Sequence, residues 1–215
     1  MALTAEGAVL EHFEEFQGRN HATVLSGFIK GCLDHLGRHE MKLDAIAVSI
    51  GPGSYTGLRI GLSEAKGLAY ALDVPLIGVD TLKIMAVNVM FAHDVEPDTL
   101  FAPMIDARRM EVYTAVYDLA LNTLAAPTPL ILQPDSYSKW LAERKVLFFG
   151  NGSDKARPLF ESNPNATFIA DVSPLAVDMM PLATQAYLRG DFLDLAYSVP
   201  AYLKEFQATK PRQLV

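Results

Sequence analysis

Apolar residues recur along this chain at two spacings, and the switches between them mark out its elements. Leu3 and Thr4, a turn at Ala5-Glu6-Gly7, and the run from Ala8 to Phe16 predict a hairpin with a charged second arm. Gly18-Arg19-Asn20 reads as a turn. Val24, Leu25, Phe28, Ile29, Cys32, Leu33 and Leu36 then fall three and four apart, which predicts a helix from His21 to Leu36. Gly37 is placed to end it. The apolar stripe is wider than contact with one sheet needs.

The next stretch organises the rest. Ala45 to Ile50 is a β-branched apolar run, as in a buried strand. Gly51-Pro52-Gly53 breaks it, and the hydroxyls of Ser54 and Thr56 stand where a helix should be capped. From Gly57 to Leu72 the spacing is helical, until Asp73-Val74-Pro75 stops it. Leu76 to Val79 reads as a second buried strand. Two strands joined through a helix predict a right-handed βαβ unit, with the glycine loop at the carboxyl end of its first strand. Within the helix, Gly57, Gly61, Ala65 and Ala69 fall four apart and form a stripe almost without side chains. Each glycine inside a helix costs roughly 1 kcal/mol against alanine. The return is close approach of another backbone, either this chain's own sheet or another chain.

Asp80-Thr81 caps an apolar helix over Leu82 to Phe91, and the polar stretch from His93 to Thr99 divides the chain into residues 1–97 and 98–215. The second half restarts as a hairpin, Phe101 to Asp106 and Glu111 to Asp118, around a turn at Ala107-Arg108-Arg109. Pro127 and Pro129 mark a loop before a strand near Leu130. A helix near Ser136 to Arg144, a buried strand from Val146 to Phe149 and a turn at Gly150-Asn151-Gly152-Ser153 follow. Thr167 to Ala170 is a short strand. Ser173-Pro174 opens a last helix, closed by Gly190. Gln207 to Val215 reads as a frayed tail.

Half of the 215 residues are hydrophobic, ample for one large or two small domains, and the net charge is -7. An acidic surface is a poor non-specific nucleic-acid binder, because phosphate contacts need clustered Lys and Arg. Cys32 is the one cysteine, which excludes an intramolecular disulfide and a cysteine-rich zinc site. No apolar run is long enough to span a bilayer, so a cytoplasmic protein is expected. His35 and His39 have metal-chelating spacing, but Gly37 between them and the lack of a following carboxylate make them surface histidines. Ser54-Tyr55-Thr56 lacks the form of a nucleophile elbow, and Leu58-Arg59 stands where a phosphate loop needs Lys-Ser/Thr. Backbone amides after Gly51 remain a candidate anion contact at the helix start.

The residues SIGPGSYTGLRIGLSEAKGLAYAL (49–72) followed by PLIGVDTL (75–82) resemble the TsaB (YeaZ) family, and APMIDARRMEVYTAVY (102–117) and PAYLK (200–204) extend the resemblance. It implies an α/β fold of the actin, Hsp70 and sugar-kinase type, with two mixed-sheet subdomains. It implies a non-catalytic subunit that pairs with a TsaD-like catalytic subunit, together with a TsaE-like ATPase. That assembly transfers a threonylcarbamoyl group to the adenosine beside the tRNA anticodon. This chain would meet tRNA only through the complex and would form a homodimer when alone. The first helix and the glycine helix would build the subunit interface, through Leu25, Ile29, Cys32, Gly57, Gly61, Ala65 and Ala69. Gly51, Gly53, Ser54 and Thr56 would make at most a regulatory ATP or ADP contact, with no other cofactor and no metal.

In two places the chain departs from the pattern. Family members open with a full apolar strand and a Thr/Ser-rich turn before a segment like residues 2–10, so the first sheet is expected to lack its first strand or to begin upstream. Lys204 also stands where the family ending carries Arg, which removes a bidentate donor. The rival readings are an ATPase or kinase relative with its own turnover, and a glycoprotease-like metallopeptidase.

Overall fold

The computed structural model describes residues 1–16 and 21–204; the turn expected at Gly18-Arg19-Asn20 and the tail from Gln207 lie outside them. The chain forms two α/β layers that share a central helix. Strands β1 (Ala2–Ala5) and β2 (Ala8–His12) pair antiparallel, and Met1 and Phe13 extend the ladder through two backbone bonds of 2.7 and 2.8 Å. Helix α1 (His21–Arg38) lays Cys32 and Leu36 on this hairpin, where they meet Leu3, Leu10 and Phe13. The helix runs through Gly37. Its left-handed closing residue is Glu40, φ 53°, and the Met41 N–H returns to the Leu36 carbonyl.

Strands β3 (Ile46–Gly51) and β4 (Leu76–Asp80) pair in parallel, as the βαβ pattern requires. Helix α2 (Tyr55–Leu72) covers one face through Leu62, Ala65 and Ala69. Asp73 closes α2 in the left-handed conformation, its N–H returning to the Ala69 carbonyl. Helix α3 (Thr81–Ala92) begins where Asp80 Oδ1 accepts from the N–H groups of Leu82 and Lys83, at 2.7 and 3.1 Å. Ile84 of α3 packs on Ile77 and Val79 of β4, while Leu82, Met85, Ala86 and Val89 enter the core of the second layer. Helix α3, apolar on most of its circumference apart from Lys83 and Asn88, is buried by both layers. Among the described residues β1–β2 and β3–β4 remain separate two-stranded sheets.

The second layer is one five-stranded sheet in the order β7-β6-β5-β8-β9. Strands β5 (Leu100–Asp106), β6 (Glu111–Tyr117) and β7 (Thr123–Ile131) run antiparallel, and β8 (Val146–Phe149) and β9 (Ala166–Ile169) continue parallel to β5. The loop expected at Pro127 and Pro129 is instead part of β7. That strand lies at the sheet edge, where a missing N–H costs no ladder bond if it faces outward. Helices α4 (Ser138–Leu141) and α5 (Ser153–Phe160) cover the face away from α3. The last helix, α6 (Met180–Arg189), starts behind a short 3₁₀ turn with Pro181 in its first turn, later than Ser173-Pro174 suggested. It returns to the first layer, where Leu182, Ala183 and Ala186 pack on Ile77 and Val79. No helix of the described residues is long and apolar enough to cross a membrane.

Pro103 sits in the central strand β5, paired with Phe149. Its carbonyl accepts from the Thr114 hydroxyl at 2.8 Å, and Thr114 Oγ1 in turn lies 2.7 Å from the Tyr137 hydroxyl, all of it buried. Since Thr114 spends its proton on Pro103, Tyr137 donates to Thr114. Thr114→Val keeps the shape but leaves an acceptor and a donor unpaired, and should cost about 1–3 kcal/mol. Tyr137→Phe should cost less, because Thr114 keeps its bond to Pro103. Urea unfolding of both variants checks the order.

Candidate functional site

Two concavities meet at the first turn of α2. The first is a cleft of about 310 Å³ between the layers. Pro52, Gly53, Ser54, Gly57 and Leu58 form one wall, Ile105 and Asn151 the other, with Ser49, Thr81, Met85 and residues 172–174 between them. Ser49 Oγ and Thr81 Oγ1 bond each other at 2.7 Å. Asn151 Oδ1 accepts from the Asp106 N–H at 2.9 Å, so the second glycine turn is tied to the β5–β6 hairpin tip.

Of the candidate anion contacts, Gly53 and Ser54 face this cleft. Ser54 is the N-cap of α2 and accepts from the Gly57 N–H at 3.3 Å. Thr56 is exposed and lines neither concavity. Gly51 is buried on the far side of the loop, with φ 115°. A β-carbon there would stand 3.1 Å from the Ala201 carbonyl oxygen, so Gly51 serves the C-terminal segment. Among the described residues no cationic side chain lines the cleft.

The second concavity is a groove of about 370 Å³ between α1 and α2. Phe13, Phe16, Val24, Leu25 and Phe28 form one side, Gly57, Ile60 and Gly61 the other, and residues 174–176 one end. Glu14 and Glu15 stand at its rim. This resolves the glycine stripe residue by residue. Ala69 and Ala65, 0% and 6% exposed, are covered by this chain's own sheet. A β-carbon on Gly61 would meet Val48 at 3.9 Å, so a larger side chain there would press on the sheet too. A β-carbon on Gly57 would meet Ser54 at 3.4 Å, an ordinary contact, and Gly57 and Gly61 both line the groove. Leu25 lines the groove and Ile29 is half-buried on α1. Cys32, 4% exposed, is packed under the hairpin.

His35 is not a solvated histidine: its Nδ1 lies 2.8 Å from Glu11 Oε1, and its ring stacks on His39 with centroids 4.5 Å apart. Among the described residues no group of three His, Cys, Asp or Glu side chains stands together as a metal site. Burial would raise the Asp106 carboxyl, but the bond from Lys155 at 2.6 Å and the Arg108 N–H hold it below the usual carboxylate range. Asp106 is thus spent inside the turn. Arg108 and Arg109, φ 70° and 49°, stand exposed at its tip. Burial pushes the Asp80 carboxyl up, against the N–H bonds it accepts, and pushes the Tyr117 phenol up more strongly. The Tyr117 hydroxyl is buried without a partner among the described residues.

A protein-family model described as TsaD, tRNA N6-adenosine threonylcarbamoyltransferase, matches residues 12–211. The tRNA threonylcarbamoyladenosine biosynthesis protein TsaB of Escherichia coli strain K12 is 30% identical over 215 residues, covering 98% of this chain and 91% of that protein. The TsaB of Haemophilus influenzae is 36% identical over 202 residues, 90% of this chain and 84% of its own. The solved structure of YeaZ from Pseudomonas aeruginosa superposes with a TM-score of 0.76 at 32% identity, over 94% of this chain and 92% of that one.

Proposed function

The chain belongs to the TsaB family of tRNA threonylcarbamoyladenosine biosynthesis proteins and has the actin-like ATPase fold, and from that premise we propose that it is a non-catalytic subunit. In this reading it pairs with a TsaD-type transferase in the cytoplasm and holds that subunit in its active form. A TsaE-type ATPase joins the assembly, tRNA is met only through it, and the unpaired chain forms homodimers.

The observation that carries the reading is the groove between α1 and α2. Its lining is apolar, its rim is acidic, and Gly57 leaves the backbone open to close approach. Such a face packs at core density against a complementary helix. The cleft favours a supporting role over turnover: Ser49 and Thr81 bond each other, Ser54 caps α2, and among the described residues no acid–base pair lines it. An ATP or ADP contact at Gly53 and Ser54 would be regulatory.

A second reading, in which the chain turns over nucleotide itself, draws on the match to a transferase model. Light scattering after size exclusion, on this chain alone and mixed with the TsaD-type protein of the same organism, tests the first. A one-to-one complex is the expected result. Two unmixed peaks would overturn it, and ATP hydrolysis by the pure chain would favour the second.

A further inference from the structure

The segment after α6 does not trail into solvent. The Leu193 N–H bonds the Leu76 carbonyl at 2.7 Å, and Leu193 and Leu195 join the apolar cluster under α2. Lys66 of α2 donates to the carbonyls of Ala196 and Ser198, at 3.4 and 2.7 Å. The segment is therefore fastened to the first layer along its length. It then crosses behind the glycine loop: Pro200 is buried, and the Ala201 N–H bonds the Ile50 carbonyl at 2.7 Å. The Tyr202 ring stacks on Tyr55, centroids 5.0 Å apart, and Arg59 donates to the Tyr55 hydroxyl at 2.8 Å.

Two residues later the segment reaches the other layer. The Lys204 ammonium pairs with Glu111, the first residue of β6. Glu111 belongs to the hairpin tip that Lys155 binds through Asp106 and the Glu111 carbonyl, and that Asn151 anchors to the cleft. Residues 200–204 thus touch the elements that carry both walls of the cleft by three unlike contacts: a backbone bond, a ring stack and an ion pair. The first two are fixed by buried backbone and by α2. The third joins two long side chains, Lys204 38% and Glu111 18% exposed, and a pair open to water on one side is weaker than a buried contact and more sensitive to salt.

We propose that residues 200–204 are a latch holding the two walls of the cleft together, with the Lys204–Glu111 pair as its release point. Releasing that pair unties the glycine loop from the hairpin tip, which lie more than fifty residues apart in sequence, and loosens both. The single-point grip of a lysine suits this role better than a two-point grip, since it lets go more readily.

Hydrogen exchange of the full chain, followed peptide by peptide, tests it. Lys204→Glu should speed exchange about two- to five-fold both at residues 53–58 and at residues 105–111, with the thermal midpoint unchanged. Glu111→Lys alone should do the same, and the double charge swap should restore the wild-type rates. Faster exchange at only one wall, unchanged rates in both single variants, or a double variant no slower than the singles would each overturn the latch.

Discussion

Gly150→Ala is expected to lower the thermal midpoint by roughly 6–12 °C. Gly150 has φ 93°, which L side chains rarely adopt. A β-carbon there would stand 2.2 Å from the Met85 methyl and 2.4 Å from the Met104 carbonyl oxygen. The methyl can swing aside. The carbonyl cannot, because Met104 is in the central strand β5, held by its ladder to β6. The same carbonyl accepts from the Gly152 N–H at 3.0 Å, so the added carbon also breaks the turn that aims Asn151 at the cleft. Strain and displacement together come to about 3 kcal/mol, at about 2–4 °C per kcal/mol for a chain of this size. Gly67→Ala is the control. Gly67 is exposed inside α2 with nothing within 4 Å of its added carbon. That substitution should raise stability by about 0.5–1 kcal/mol. Calorimetry that found Gly150→Ala within 2 °C (roughly 1 kcal/mol) of wild type would refute the packing argument.

Leu25→Glu should weaken binding of the TsaD-type partner at least about 100-fold, close to 3 kcal/mol, while leaving the monomer folded. Leu25 is half-buried on the α1 side of the groove, where the free chain leaves a carboxylate access to water. A partner helix seated in the groove would remove that water and strand the charge. Ile60→Glu, from the α2 side, should act alike. Leu188→Glu on α6, at a residue 80% exposed and away from the groove, should bind as wild type does. Titration calorimetry with circular dichroism separates lost binding from lost fold. Wild-type affinity in both groove variants would move the interface elsewhere.

The βαβ unit was legible because its signals are local: a β-branched run, a glycine break, a capping serine and a helical spacing. The hairpin β5–β6 and the mostly apolar α3 were legible for the same reason. What the sequence hid depended on distant partners. Pro127 and Pro129 read as a loop unless β7 is known to be an edge. Gly37 reads as a stop unless Glu40 is seen taking the left-handed turn. The stripe Gly57, Gly61, Ala65 and Ala69 has one spacing but two fates, because the sheet covers only its carboxyl-terminal half. Cys32 has the periodicity of an interface residue, yet the hairpin claims it. The contacts of Tyr202 and Lys204 join residues 147 and 93 positions away, beyond the reach of any window on the sequence.

Ser54, Gly57 and Pro174 line both the cleft and the groove. The two concavities therefore share a wall one helical turn thick. Linkage across such a wall runs equally in both directions. A small molecule in the cleft that tightened the partner's hold tenfold, about 1.4 kcal/mol, would itself be held tenfold more tightly by the assembled pair. The affinity of the isolated chain for such a molecule would then understate what the complex sees, and the ratio of the two would give the coupling between the concavities.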